Sequence, residues 1–217
     1  MVGVFYLAVA ILIVYLIFLP FQAVGGRLLG AKISDIGLFN SPKVFQFNFG
    51  GITFSINALP FGSYIKFTDE FEFLHPFKKI LILLSGAVSY LVIAFVGLGF
   101  AETFRQIFSG FGQLSSGLLS PLVIGAAYME GIIEVMLQYS FLFGLGILAC
   151  KMLAFNLLPF GGLIGGNFVI FVLQLFGIKS EKLNEKFSLL GILIILIFHI
   201  AYAAAFVALV LNRYRYN

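Results

Sequence analysis

Asn156-Leu157-Leu158-Pro159-Phe160-Gly161-Gly162-Leu163-Ile164-Gly165-Gly166 interrupts an apolar stretch running from Val135 to Ile178, in which Lys151 is the only charge. Pro159 removes a backbone donor and the glycines weaken any helix, so a helix entering near Val135 must break here and turn. A discontinuous helix at membrane depth normally marks a site or the remains of one. Working outward, three further apolar stretches flank it: Val2–Leu19, Ile80–Ala101 and Phe187–Leu211. About 20 apolar residues cross a ~30 Å hydrocarbon core. With 61% hydrophobic and 10% charged residues among 217, an ordinary soluble surface is excluded. The composition predicts a mainly α membrane protein, one membrane domain over 1–217, with about four transmembrane helices near 2–24, 80–101, 135–158 and 187–211. No basic residue precedes the first apolar run, so it reads as a span rather than a signal peptide.

Lysine and arginine set the expected orientation. Arg27, Lys32, Lys43, Lys66, Lys78 and Lys79 lie between the first two spans, and Lys179, Lys182 and Lys186 before the last. Between the second and third, Arg105 stands alone against Glu102, Glu130 and Glu134, while Arg213 and Arg215 at the C-terminus pull weakly the other way. The first and third connections are therefore expected in the cytoplasm and both termini outside. The net charge of +4 reflects this topology, and no basic run or motif points to nucleic acid. The single Cys150 excludes an intramolecular disulfide.

Between the first two spans, Val44 to Leu59 alternates with period two. Phe45, Phe47, Phe49, Ile52, Phe54 and Ile56 interleave with Gln46, Asn48, Thr53, Ser55 and Asn57 about Gly50-Gly51. This predicts a small membrane-associated β-hairpin on the cytoplasmic side, within a region 44–67, whose phenylalanine face packs on lipid or on the spans. Leu59-Pro60-Phe61-Gly62-Ser63-Tyr64-Ile65-Lys66 follows as a re-entrant or interfacial loop. The segment 102–134, mixing Gly and Ser with apolar residues, is expected along the outer interface; Glu130 and Glu134 there share a helical face, read as a solvated helix start.

Three runs carry a resemblance. They are Arg27-Leu28-Leu29-Gly30-Ala31-Lys32 with Ile36-Gly37 and Ser41-Pro42-Lys43-Val44-Phe45, then Leu59 through Lys66, then Asn156 through Gly166. Ser85-Gly86-Ala87 adds a fourth, weaker one. In this order and spacing they resemble the site-2 protease family of intramembrane zinc metalloproteases. Ser63 stands for the second glycine of that family's P-x-G-G-Y-x-K turn, and the PDZ module of many members is absent. The resemblance implies zinc histidines at Phe18 and Gln22, a catalytic glutamate at Leu19 and a third ligand at Ile164. Zinc takes Cys, His or carboxylate donors, and metal-assisted hydrolysis needs a base that leucine cannot supply. Pro20 is expected to disturb that helix further.

The sequence therefore points to a pseudoprotease with no cofactor and no metal, in a bacterial inner membrane. It is expected to act as a binding or scaffold subunit for one or more integral membrane proteins. Candidate partner-binding residues are Phe47, Asn48, Thr53, Phe54, Pro60, Gly62 and Tyr64. Candidate intramembrane polar residues are Lys151, Asn156, Asn167 and His199. Lys151 either replaces the lost metal's charge, with Asn156, Gln22 or Asn167 as acceptors, or snorkels to an interface. His199 reads as a helix–helix hydrogen-bond donor, and His75 has no helical-spaced donor partner for a metal. The alternative reading is a lipid, ion or peptide transport component that uses the former active-site cavity.

Overall fold

The structure is a computed structural model and describes residues 2–178 and 181–215. Helix α1 (Val2–Leu28) leads into two long strands, β1 (Ile33–Phe49) and β2 (Ile52–Phe67), and a short 3-10 turn over Asp69–Phe73. Helices α2 (Pro76–Leu98), α3 (Phe100–Leu119), α4 (Ala126–Gln138), α5 (Phe141–Asn156), α6 (Ile164–Leu175) and α7 (Glu181–Arg215) follow. A π turn, Pro121–Gly125, joins α3 to α4. Four helical stretches are long and apolar enough to cross a membrane: Val2–Leu28, Pro76–Leu98, Pro121–Gln138 and Glu185–Arg213. The protein is an integral membrane protein, mostly helical, with a small sheet.

Helix ends follow local chemistry. Gly30, at φ +88°, ends α1 in a left-handed turn, with the Ala31 N–H donating to the Gly26 carbonyl at 2.8 Å. His75 caps α2, its Nδ1 accepting from the Phe77 N–H at 3.3 Å, with Pro76 in the first turn. Helix α1 runs on through Pro20, so the expected disturbance does not break it. The expected third span, 135–158, is two helices instead. Helix α4 stops at Gln138, and Ser140 caps α5 by accepting from the Phe143 N–H at 3.0 Å. A serine cap is hard to distinguish from a mid-helix serine inside an apolar run, which explains the merged expectation. The segment 102–134, expected along the outer interface, is helical. It forms α3, the π turn and most of α4, a helical hairpin closed by Gly117 packing on Gly125.

The core lies where α1, α2 and α5 meet and includes Val14, Leu83, Ala87, Tyr90, Ile93, Leu148 and Leu153. Helices α2 and α5 cross antiparallel at Gly97 and Gly146, where an added methyl on either would press on the other's backbone.

The hairpin forms about its expected turn. Gly50 (φ +59°) and Gly51 (φ +78°) supply the positive φ pair of a two-residue turn, and Phe49 faces Ile52, Phe47 faces Phe54 and Phe45 faces Ile56. The sheet is larger than the hairpin, however. Each strand bends, and the first part of β1 pairs twice: Asp35 with both Lys66 and Thr53, and Leu38 with both Ser63 and Ile56. Four segments thus lie in the order 63–67, 33–38, 52–57, 43–49. The register of 33–38 against 52–57 rises in both, which is a parallel pairing, and the outer pairs are antiparallel.

The last segment of β2 lies along α1. An added Cβ at Gly26 would meet the Phe67 ring, and the Gly62 N–H donates to the Tyr15 hydroxyl at 2.9 Å. From Gly26 to Tyr15 the helix rises about 16 Å at ~1.5 Å per residue. From Phe67 to Gly62 an extended strand covers about 16 Å at ~3.3 Å per residue. The two agree, so strand and helix run side by side in the same direction.

Candidate functional site

Four positions matter for the chemistry expected of this layout. Phe18 and Leu19 from α1 and Ile164 from the start of α6 are buried and belong to one apolar core cluster, and Gln22 is buried a turn further along α1. The Phe18 ring lies 5.5 Å from the Tyr90 ring of α2. Gly86 makes room for it, since a Cβ there would come within 2.6 Å of the Phe18 ring. Tyr90 in turn accepts from the Asn156 Nδ2 at 3.3 Å, and that amide also reaches the Met152 carbonyl at 2.9 Å. Asn156 therefore closes α5 and ties it to α2 just before the chain breaks.

The break is held by backbone contact. A methyl at Gly165 would overlap the Leu157 carbonyl, one at Gly166 the Phe160 carbonyl, and one at Gly191 of α7 the Gly161 carbonyl. Gly161, Gly165, Gly166 and Gly191 are thus packing requirements of the turn and of α7 crossing it. At the four expected zinc and base positions the side chains are phenyl, two branched alkyls and a neutral amide, a set that does not fit zinc. Among the described residues no three His, Cys, Asp or Glu side chains come together.

Lys151 lies elsewhere. Its ammonium donates to the Gln106 carbonyl (2.8 Å), Gln106 Oε1 (2.7 Å) and Ser109 Oγ (2.7 Å), all on α3. The expected acceptors Asn156, Gln22 and Asn167 are not the partners seen, because the side chain leaves α5 towards α3. Glu102 orders the same patch by accepting from Arg105 and from Gln106 Nε2 at 2.7 Å. Asn167 sits in the first turn of α6, its N–H bonded to the Leu163 carbonyl at 3.0 Å. His199 Nδ1 lies 2.7 Å from the Ile195 carbonyl of its own helix, and its ring meets Phe155 of α5 edge-on.

The candidate partner-binding residues divide by strand. Phe47 and Asn48 belong to the outer segment 43–49, while Thr53 and Phe54 belong to 52–57, which is paired on both sides. Only the first two stand on an edge. In a two-residue hairpin the pair flanking the turn is hydrogen-bonded, so Phe49, Phe47 and Phe45 turn their backbone groups inward. Those of Gln46 and Asn48 point outward and are unused by the sheet. Gly62 is engaged with Tyr15, and the side chain of Pro60 lies outside the described ones.

The sheet has two unlike faces. On one, Ser55 Oγ lies 3.1 Å from the Tyr64 hydroxyl and 3.4 Å from Asp35 Oδ1, while Asp35 Oδ2 accepts from Lys43 at 3.0 Å. That hydrogen bond holds the Lys43 ammonium above its ordinary pKa. On the other face Ile36, Leu38 and Ile65 pack on the helical core, but Phe45 (57%), Phe47 (50%) and Phe49 (74%) extend beyond it, exposed.

Three features escaped the sequence reading. Lys79, 2% exposed, is boxed by the Phe71 and Phe171 rings at 5.4 and 5.5 Å and donates to the Glu72 carbonyl at 2.9 Å. Glu130, read as a solvated helix start, pairs with Arg213 across α4 and α7. Tyr15 and Tyr90 carry polar contacts from the core to Gly62 and Asn156. Nothing in local spacing marks these residues, because Phe171, Arg213, Gly62 and Asn156 lie far along the chain from Lys79, Glu130, Tyr15 and Tyr90.

The sequence model of peptidase family M50, the site-2 protease family, matches residues 22–200. The chain belongs to peptidase family M50. The match takes in Gln22, the break at Asn156–Gly166 and Ile164, and begins after Phe18 and Leu19. No curated protein matches the chain.

Proposed function

We propose that this M50 member works without hydrolysis, as a membrane subunit that holds an extended segment of an integral membrane partner against the free edge of its sheet. The observation that carries the reading is that edge, the outward backbone groups of Gln46 and Asn48, on a sheet whose other side runs along α1 from Gly26 to Tyr15. If α1 spans the bilayer, the sheet reaches well into it, on the cytoplasmic side by the lysine and arginine distribution, with both termini outside. An open sheet edge does not persist in hydrocarbon, because each unsatisfied group costs several kcal/mol. Something must pair it, and strand addition needs only backbone groups and side-chain pockets.

The buried Phe18, Leu19 and Ile164 support the absence of hydrolysis, since they supply neither a metal ligand nor a base. The chain is read as a pseudoprotease of a bacterial inner membrane. A transport role is the second reading, because the Phe18 and Tyr90 rings fill the ground a path would use.

Photo-crosslinking side chains at Gln46, Asn48 and Thr53 test the role in native membranes. The expected result is adducts with a membrane protein from positions 46 and 48 and none from the doubly paired position 53. Equal labelling at all three, or adducts with lipid alone, would overturn it.

A further inference from the structure

Resting on the edge-binding role proposed for this sheet, we infer that the segment it accepts is an amphipathic strand, alternating polar and apolar residues, rather than a uniformly apolar one. An added strand continues both faces of the sheet, since side chains directly opposite one another share a face. Partner residues opposite Gln46 and Asn48 are placed on the polar face, beside the Asn48–Thr53 hydrogen bond (2.9 Å) and the Ser55, Asp35 and Lys43 cluster. The residues between them are placed on the other face, beside Phe45 and Phe47, whose rings lie 6.0 Å apart, and Phe47 stacks at 5.2 Å on Phe54. On that face the new pairs are the non-hydrogen-bonded kind, in which side chains approach more closely. Aromatic and β-branched residues suit those positions, and Ser, Thr, Asn or Gln the polar ones. A uniformly apolar strand would leave one row of its side chains against charges and amides, and this mismatch supplies the discrimination.

The test uses the full chain in lipid nanodiscs and two labelled peptides of equal composition. One alternates threonine and valine, and the other groups its valines together. The expected result is binding of the alternating peptide about ten-fold tighter than its isomer. Gln46→Pro, which removes an outward donor and leaves the internal ladder intact, should weaken the alternating peptide by about ten-fold or more. Phe47→Thr, which keeps the backbone edge, should narrow the preference without abolishing binding. Equal affinity for both peptides, each lost in Gln46→Pro, would overturn the inference while leaving the edge in use. No binding of either peptide, or binding indifferent to Gln46→Pro, would overturn the edge role as well.

Discussion

Gly191 and Gly161 show how single residues hold this fold where no side chain can. Helix α7 crosses the turn after α5 with the Gly191 α-carbon against the Gly161 backbone, leaving no space for a methyl. Gly191→Val should therefore lower stability by roughly 1–3 kcal/mol, the usual cost of overpacking, measured by denaturant unfolding in micelles. Lys79 is a different case, a buried ammonium between two phenyl rings with the Glu72 carbonyl as acceptor. Lys79→Met keeps most of the volume and removes the charge. The expected loss is roughly 1–3 kcal/mol in the same assay, from the cation–π contacts and a charged hydrogen bond together. The glycines of the turn were legible in the sequence, since Pro159 and its neighbours break any helix. Lys79 was not, because Phe171 lies far along the chain and only the fold brings it near.

At the scale of elements, the sheet is both the most legible part and the most incompletely read. Alternation from Phe45 to Ile56 about Gly50-Gly51 named the hairpin and its turn correctly. The contributions of 33–38 and 63–67 stayed hidden, because Asp35 and Gly37 interrupt one and Gly62-Ser63 begins the other. Four helices apolar enough to span were also legible by length, but the helix break at Ser140 was not, because a serine does not announce a cap inside an apolar run. The exposed phenylalanine face gives a direct element-scale prediction. The chain has no tryptophan, so Phe47→Trp and Asn48→Trp each report a single site. Brominated lipid in nanodiscs should quench the fluorescence at position 47 strongly and at 48 little. The reverse order would mean that the sheet turns its polar face to the bilayer.

For the whole molecule, an M50 frame surrounds an apolar centre. The turn glycines, the Asn156–Tyr90 bond, and Gly86 against Phe18 belong to packing between α1, α2, α5 and α7. The absence of a metal-ligating or basic side chain at Phe18, Leu19, Gln22 and Ile164 was readable from residue type alone. That Phe18 and Tyr90 would meet in that space was not, because ring packing across helices leaves no mark in spacing. Lys151 carries the same lesson: its charge was conspicuous, but whether it faced the centre or α3 depended on the helical hairpin beside it.

The most direct test is the zinc content of the purified chain after exposure to zinc, read beside a Phe18→His, Leu19→Glu, Gln22→His, Ile164→Asp variant as the metal-binding reference. The account predicts a zinc-free native chain and zinc in the variant. Stoichiometric zinc on the native chain would contradict it.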